Sequence, residues 1–384
     1  MAVHQPWHRT MTPRDTTEEN RSATPLELFF DLCFVVSVAS VSAELHHALS
    51  GDHVSTAIPS YVAAFFAIWW AWMGFTWFAS AYDTDDVPYR LAVLVTITGA
   101  LVLAAGVRRA FEERDYALVT AGYTIMRLAQ ISQWLRAGHS HPDGRPAAHR
   151  FALGLACVQT LWLLWLAVPH DWRLPLFPVI AALDLAVPVL AERAHPTPWH
   201  AHHIAERYGL FTMIVLGESV LAATTAVRTA VDEDLGDAPL YAVAAGGLVT
   251  VFAMWWLYFA KPAARFLAST RAGFVWGYGH YLVFGSAAAV GAGIAVNVDL
   301  VTHHSELSET VAAASFTLPV ALYLLTLWLL HLRPHHVGHW STASFPAAAL
   351  AILAGTFTGA PVALTGAVMI ALVIAGFAAA RRAA

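Results

Sequence analysis

Twelve apolar runs, most of them long enough to span a membrane as a helix, dominate this sequence and constrain its fold. A helix needs about 17–25 apolar residues to cross a bilayer. Only 12% of the 384 residues are charged, whereas soluble domains carry about 25%. The chain is therefore predicted to be an all-α, polytopic integral membrane protein that has the lipid bilayer as its partner. The runs cover residues 25–46, 57–80, 89–107, 115–135, 150–169, 173–191, 204–227, 238–260, 272–297, 310–331, 342–357 and 360–380. The eleventh is short and contains Pro346, so whether it crosses fully is left open.

The distribution of positive charge predicts the orientation. With twelve spans, 15 of the 21 lysines and arginines fall on the side that carries both termini, and five fall on the other side. The remaining one, Arg127, lies within a span. Cytoplasmic loops are enriched in Lys and Arg, so both termini are predicted to be cytoplasmic. Residues 1–24 are polar and lack the apolar segment of a signal peptide. They are predicted to form a disordered cytoplasmic tail.

The two halves of the chain resemble each other. The sequence "ELFFDLCFVVSVASV" from Glu27 aligns with "ERYGLFTMIVLGESV" from Glu206, an offset of 179 residues. Farther along, "WFA" at 77–79 aligns with "YFA" at 258–260, and Arg90 aligns with Arg271, both at an offset of 181. The near-constant spacing predicts two parallel six-helix repeats, residues 25–200 and 201–384. Transporters are often built in this way, with a site between the halves, although receptors and membrane enzymes can also be duplicated.

Four motifs carry a resemblance to a known family. The stretches "TPLELFFDLCFVV", "YDTDDVPYRL", "YTIMRL" and "ERYGLFTMIVLGES" resemble the bacterial low temperature requirement A (LtrA) family from about Thr24 to the C-terminus. The family consists of polytopic membrane proteins named for a requirement in growth at low temperature. The resemblance therefore implies the fold and a location in the inner (plasma) membrane. The second half departs from the pattern, because "YFAKPAAR" has Ala260 and Lys261 where an acidic residue is expected.

Two carboxylates at the start of the first span are four residues apart and therefore share one face of a helix. Glu27 lies in the positive N-terminal turn, where a carboxylate stabilises the helix, so we expect it mainly to stabilise the helix start. Asp31 lies one turn deeper and is expected to serve a ligand or proton path. In the second repeat Glu206 occupies the place of Glu27, while Leu210 replaces Asp31.

Other ionisable residues lie deep in the spans, where a charge is expensive. Glu218 is placed near the middle of the bilayer and is a candidate for binding a ligand or a proton. Arg127 is the expected counter-charge for Asp31 or Glu218, and Asp184 is another candidate partner. We expect Asp31, Arg127 and Glu218 to share one central surface. His280 can titrate near neutral pH, or it can be a hydrogen-bonded packing residue.

The loop "YDTDDVPYR" at 82–90 has two interpretations. Asp85 or Asp86 can cap the helix that begins near Pro88. Alternatively, Asp83, Asp86 and Arg90 can form a gating loop. Both interpretations are kept.

Histidine clusters at 195–207 and 331–340 lack the spacing of zinc sites, so solvated loop histidines are predicted rather than a metal site. The sequence has no Walker A loop, Gly-x-Ser-x-Gly elbow or His-Glu-x-x-His motif, and no cofactor or nucleic-acid partner is predicted.

Three classes of function are compatible with these features. A proton-coupled permease for a small molecule accounts for the repeat and the buried acids. A receptor-like or membrane-adaptation protein would need no continuous polar path. A lipid-directed enzyme would bring histidine and carboxylates together at one membrane level. Enzyme activity is therefore left unassigned, as are the substrate, the direction of transport and the oligomeric state.

Overall fold

Twelve α-helices make up the protein in a computed structural model that describes residues 7–18, 21–233, 237–267, 269–305, 307–332 and 339–383. No strand occurs in these ranges. The helices are α1 (Pro25–Ser50), α2 (Val54–Tyr82), α3 (Val87–Glu112), α4 (Ala117–Ser140), α5 (Arg145–Trp165), α6 (His170–Glu192), α7 (Ala201–Asp232), α8 (Ala238–Phe259), α9 (Thr270–Val301), α10 (Glu309–Leu327), α11 (His339–Gly355) and α12 (Pro361–Ala383). A 3-10 turn, Ala263–Phe266, follows α8, and a π-helical turn, Trp328–Leu332, extends α10.

Ten of the twelve helices are long and apolar enough to cross a membrane, which makes the chain a multi-pass membrane protein. The exceptions are α4 and α11. Helix α4 is long enough at 24 residues, but its arginines and glutamines lower its hydropathy. Helix α11 has 17 residues and contains Pro346, so it is at the lower limit for a span. Of the approximately twelve spans that the sequence predicts, ten are therefore supported by the length and hydropathy of their helices.

Helix contacts divide the chain into two compact units. Unit 1 comprises Met1–Val41 and Val62–Tyr208, and unit 2 comprises Ser42–Tyr61 and Gly209–Ala384. In unit 1, α3 packs on α4, α4 on α5 and α5 on α6; in unit 2, α9 packs on α10, α10 on α11 and α11 on α12. The units divide within α7, eight residues after the predicted repeat boundary at 200 and 201.

The segment before α1 is folded onto unit 1 at residues 7–18 and 21–24, which corrects the predicted disordered tail. The guanidinium of Arg21 donates to the carbonyl oxygens of Ser80 and Ala79, the latter at 2.7 Å. These carbonyls belong to the end of α2, where helical carbonyls lack partners within the helix. Satisfying them gives a polar segment a fixed position that composition alone does not predict.

Glycines allow two helix pairs to pack closely. In unit 1, a Cβ atom at Gly122 of α4 would lie 2.4 Å from the backbone nitrogen of Leu103 and 2.5 Å from the carbonyl oxygen of Gly99, both on α3. In unit 2, a Cβ atom at Gly293 of α9 would lie 2.4 Å from the carbonyl oxygen of Ser315 on α10. Small residues commonly permit such close approach between membrane helices. Both helix pairs can therefore pack this closely only because Gly122 and Gly293 have no side chain.

Candidate functional site

Five buried side chains of unit 1 form a polar cluster, here called the α1–α7 cluster. Its members are Glu27 and Asp31 on α1, Trp72 on α2, and His203 and Arg207 on α7. The acids are four residues apart, as are His203 and Arg207, so each pair shares one face of its helix. Asp31 is the seventh residue of α1, and Arg207 is the seventh residue of α7. None of the four ionisable side chains is more than 1% exposed.

Arg207 binds both carboxylates of the cluster. Its Nε donates to Asp31 Oδ2 at 3.0 Å, and its Nη2 donates to Asp31 Oδ1 at 2.6 Å. Nη1 donates to Glu27 Oε1 at 2.9 Å. Trp72 Nε1 also donates to Asp31 Oδ1, at 2.7 Å. The two-pronged contact with Asp31 is the strong form of an arginine–carboxylate pair, so it fixes the start of α7 against the start of α1.

The imidazole ring of His203 lies beside this pair, while the backbone N–H of His203 donates to His200 Nδ1 at 3.3 Å. Its Nε2 is 3.0 Å from Glu27 Oε1, but the contact lacks hydrogen-bond geometry. Neither ring nitrogen has a hydrogen-bond partner among the described residues. The ring carries a charge only when it is protonated, and a protonated ring would pair with the carboxylate of Glu27.

Glu27 also stabilises the start of α1, as the sequence predicts. The backbone N–H of Thr24 donates to Glu27 Oε2 at 2.8 Å, and the N–H of Glu27 donates to Thr24 Oγ1 at 3.3 Å. This reciprocal arrangement is a capping box. Glu27 thus serves the helix start and Arg207 at the same time.

A second buried ion pair joins Arg127 of α4 to Asp184 of α6. Arg127 Nη2 donates to the two oxygens of Asp184 at 2.9 and 3.0 Å. Asp184 also accepts from Trp70 Nε1 at 2.7 Å, Tyr123 Oη at 2.8 Å and Trp162 Nε1 at 3.0 Å. The carboxylate is therefore saturated with donors.

These contacts correct the predicted pairing of Arg127 with Asp31 or Glu218. Arg127 is paired with Asp184, the other candidate, and Asp31 is paired with Arg207. The sequence places Arg207 near a span that begins at residue 204, whereas α7 begins at Ala201. The three additional helical residues put Arg207 about 4–5 Å farther from the start of its helix, so Arg207 holds the same position in α7 as Asp31 holds in α1. The matching four-residue spacing of His203 and Arg207 is the sequence signal that could have identified them.

In the predicted gating loop, Asp86 caps α3. It accepts from the N–H of Tyr89 at 3.0 Å, the N–H of Arg9 at 2.7 Å and Nη1 of Arg136 at 2.9 Å. Burial alone would raise the pKa of Asp86, but these hydrogen bonds hold it at about 2. The capping interpretation is therefore confirmed for Asp86.

The other acids of the loop have different surroundings. Asp85 pairs with Arg90, Oδ1 to Nε, at 2.7 Å. Asp83 is half-buried. Burial and the nearby Glu27 raise the pKa of Asp83 to about 6, against the opposing effect of Arg21. Arg90 thus binds Asp85 rather than the other two acids, and the gating role itself stays a prediction.

The predicted acids of α7 are placed differently from each other. Glu206 is exposed and accepts from the N–H of Ala23 at 3.2 Å. Glu218 is half-buried in unit 2. Within the described part of the chain, no hydrogen bond or ion pair joins Glu218 to another residue. Their role in a ligand or proton path stays a prediction.

Three histidines expected to be solvated are buried instead: His200, His203 and His331. In unit 2, Trp276 connects two imidazoles. Its Nε1 donates to His331 Nε2 at 3.1 Å, and its carbonyl oxygen lies 2.7 Å from His280 Nδ1. No grouping of three or more potential metal ligands occurs in the ranges that the structure describes. His335 and His336 lie outside those ranges.

Comparison with known proteins identifies a family and a relative. The sequence profile of the family described as "Bacterial low temperature requirement A protein (LtrA)" matches residues 22–379. "Uncharacterized protein RA0937" of Rhizobium meliloti (strain 1021) is 28% identical over 304 residues, which are 73% of this chain and 70% of that protein. The profile match includes every residue of the α1–α7 cluster.

Proposed function

The chain belongs to the bacterial low temperature requirement A family, and on this basis we propose that it is a proton-coupled permease for a small molecule in the plasma membrane. The α1–α7 cluster is the proton-binding site in this proposal. The observation that carries it is an imbalance of charge: the carboxylates of Glu27 and Asp31 share the single guanidinium of Arg207.

This imbalance favours the binding of one proton. With both carboxylates ionised and His203 neutral, the cluster has a net charge of −1. The flanking Asp83 and Arg21 have opposite charges and leave that total unchanged. A buried uncompensated charge is costly. One proton, on His203 or on a carboxylate, makes the cluster neutral, so closing the cluster off from water favours the protonated form.

Proton binding can be coupled to movement because the cluster connects two helices. A proton on Asp31 would weaken its two-pronged contact with Arg207, since a neutral carboxyl loses the charge that strengthens those bonds. The start of α7 would then be held less firmly to α1. A ligand that binds one of the two arrangements better shifts the balance between them, which is the requirement for coupling.

The other predicted residues fit this proposal as additional parts. Glu218 is proposed to bind substrate or a proton in unit 2, and His280 to take part in the same path. The parallel repeat remains part of the proposal. It is supported by the same order of packing in α3 to α6 and in α9 to α12. Both termini are proposed to be cytoplasmic.

A lipid-directed membrane enzyme is the second candidate, because His203 and the two carboxylates lie together in unit 1. Such an enzyme would change the lipid composition of vesicles that contain the purified protein. A permease would leave the lipids unchanged. Lipid mass spectrometry before and after incubation separates the two.

A proton titration tests the charge imbalance directly. Purified wild-type protein and the variant Asp31→Asn are titrated between pH 4 and pH 9. The variant retains a balanced pair of Glu27 and Arg207, so it should bind about one proton fewer over this range. The control Glu112→Gln, at an exposed end of α3, removes a carboxylate outside the cluster and serves as the reference for the loss of one ordinary acid. Superimposable curves for Asp31→Asn and Glu112→Gln would contradict the proposal.

A growth assay tests the functional requirement. In cells that lack the gene, Asp31→Asn and Glu218→Gln should each fail to restore growth at low temperature, while the amount of protein in the membrane stays at the wild-type level. The matched control Glu112→Gln should restore growth. Full growth with both variants would assign these acids a structural role only.

A further inference from the structure

The N-terminal segment crosses the end of unit 1 that lies nearest the α1–α7 cluster. Its described residues, 7–18 and 21–24, are here called the N-terminal strap. The strap contains no helix or strand, yet it makes hydrogen bonds at the ends of four helices, α2, α3, α4 and α7. It then continues directly into α1, which begins at Pro25. The strap therefore contacts or continues into every helix that contributes to the cluster.

Backbone hydrogen bonds fix the first part of the strap. The N–H of Arg9 donates to Asp86 Oδ2 at 2.7 Å, and the carbonyl oxygen of Arg9 accepts from Arg136 Nη2 at 2.8 Å. The N–H of Arg14 donates to the carbonyl oxygen of Ala81 at 2.9 Å. These bonds use only main-chain atoms of the strap, so a substitution of its side chains leaves them in place.

Arg21 attaches the second part of the strap to the end of α2. Its guanidinium donates to the carbonyl oxygens of Ser80 and Ala79, two groups that a helix end leaves without an intrahelical partner. A cation at this position also lies at the negative end of the helix dipole. Arg21 is 7% exposed, and its charge is near enough to Glu27 for the two to interact. The strap thus reaches the edge of the α1–α7 cluster.

The strap is separated from the cluster by about 10 Å along the helices. Asp31 and Arg207 are each six residues after the first residue of their helices, α1 and α7, which is about 9 Å. On α2, the strap binds carbonyls at residues 79–81, which are seven to nine residues, or about 10–14 Å, beyond Trp72. The three helices therefore hold the cluster at a similar depth below the end that the strap crosses.

Few side chains hold the strap in place. Among its described residues, only Met11 and Arg21 are buried, and most of the others are exposed. Segments with few buried contacts open at a lower free energy than the fold as a whole. The strap can therefore lift from α2 while the helices stay packed.

We propose that the N-terminal strap is a lid that closes the α1–α7 cluster from water on the side proposed to be cytoplasmic, and that it lifts when a proton enters or leaves. This inference rests on the proposed function for the proton and adds the route by which the proton reaches the cluster. A closed lid excludes water, so the charge imbalance of the cluster favours a bound proton. An open lid admits water, which stabilises ionised carboxylates and favours release.

Thiol labelling at Thr76 measures the opening of the lid. Thr76 is fully buried on α2, one turn from Trp72 in the direction of the strap. Thr76→Cys is made in a background in which Cys33 and Cys157 are replaced by alanine. A cationic, water-soluble methanethiosulfonate reagent is added to the purified protein in detergent, and mass spectrometry gives the rate of modification. Arg21→Ala removes both side-chain bonds to α2 and should raise this rate at least about tenfold.

Two further variants and a second thiol separate a lid from a general loss of stability. Met11→Ala removes the other buried side chain of the strap and should also speed labelling at position 76. Arg14→Ala is the matched control, because the Arg14 side chain pairs with Glu18 near the surface and its backbone bond to α2 is retained. It should leave the rate unchanged. Ala110→Cys, buried at the far end of α3, should stay slow to react in every variant.

An unchanged rate at position 76 in Arg21→Ala, or in Met11→Ala if Arg21→Ala does not fold, would overturn the proposal. An equal acceleration at position 110 would overturn it as well, because the whole unit would then have loosened. Labelling measures the access of water and not the binding of protons. A failed proton titration would therefore refute the proton site of the proposed function and leave the labelling result unchanged.

Discussion

Asp83 and Asp86 are three residues apart, yet their surroundings shift their pKa values in opposite directions. Asp86 is held at a pKa of about 2 by donors from Arg136 and two backbone N–H groups. Asp83 is raised to about 6 because burial and Glu27 oppose its ionisation. A short acidic loop thus contains one carboxylate that is charged throughout the physiological range and one that changes charge close to it.

Asp83→Asn should remove a pH-dependent cost to stability. Because the pKa of about 6 lies above the ordinary 3.8, the folded protein holds a proton more readily than the unfolded chain. Stability therefore falls as pH rises from about 4 to about 6, by at most about 3 kcal/mol, and stays reduced above that. The variant should melt at a higher temperature than wild type at pH 7 and at a similar temperature at pH 4.5. Thermal unfolding of both purified proteins in detergent, at pH 4.5 and at pH 7, measures these melting temperatures.

The matched control for that experiment is Asp143→Asn, at an exposed acid of the α4–α5 loop. It should follow the wild-type dependence on pH. A lower melting temperature for Asp83→Asn than for wild type at pH 7 would show instead that ionised Asp83 stabilises the fold.

For the charged residues, the sequence predicts which side chains need a partner but not which partner each one has. Depth within a span identifies Asp31 and Arg127 as residues that need partners, because the cost of a buried charge depends on position along the helix. The choice of partner depends on which helices are neighbours and on where each begins. That information is tertiary, so the pairing of Asp31 with Arg207 did not follow from depth alone.

At the scale of the elements, helix ends were predicted less well than helix centres. Hydropathy detects the apolar part of a helix, whereas hydrogen bonding continues into polar residues at either end. Helix α1 therefore runs to Ser50 and α7 begins at Ala201, beyond the apolar runs at 25–46 and 204–227. With the three extra residues of α7, Arg207 becomes the seventh residue of its helix, the position that Asp31 has in α1.

Gly122→Ala and Gly293→Ala should each destabilise the protein, because the new methyl group would meet backbone atoms at 2.4 Å. Overpacking of this kind costs about 1–3 kcal/mol. Gly217→Ala is the matched control, since nothing lies within 4 Å of its added Cβ. Alanine is favoured over glycine in helices by about 0.5–1 kcal/mol, so this variant should melt at or above the wild-type temperature. Equal melting temperatures for all three would contradict the close packing.

At the scale of the whole molecule, the arrangement of the chain across the membrane can be tested with reporters. Fifteen of the 21 basic side chains lie on the predicted cytoplasmic side, and such a bias sets orientation. A C-terminal green fluorescent protein fusion should fluoresce, and a C-terminal alkaline phosphatase fusion should be inactive. The opposite pattern would place the C-terminus outside the cell and contradict the predicted orientation.

The predicted duplication makes its own claim about the whole molecule. In an experimentally determined structure, α1 should superpose on α7 and α2 on α8 by one rotation, with the helices running in the same directions. The offsets of 179 and 181 residues in three separate matches motivate this expectation. An antiparallel superposition would remove the argument for parallel repeats and weaken the case for a permease.

The pairing of α1 with α7 has a consequence for synthesis of the protein. Asp31 leaves the ribosome 176 residues before Arg207, which at about 5–20 residues per second is an interval of about 9–35 s. During that time, the first helix is present without its counter-charge. Its acids must be protonated or remain near the headgroups until the seventh helix is inserted. The first helix therefore reaches its native position late, when more than half of the chain has been made.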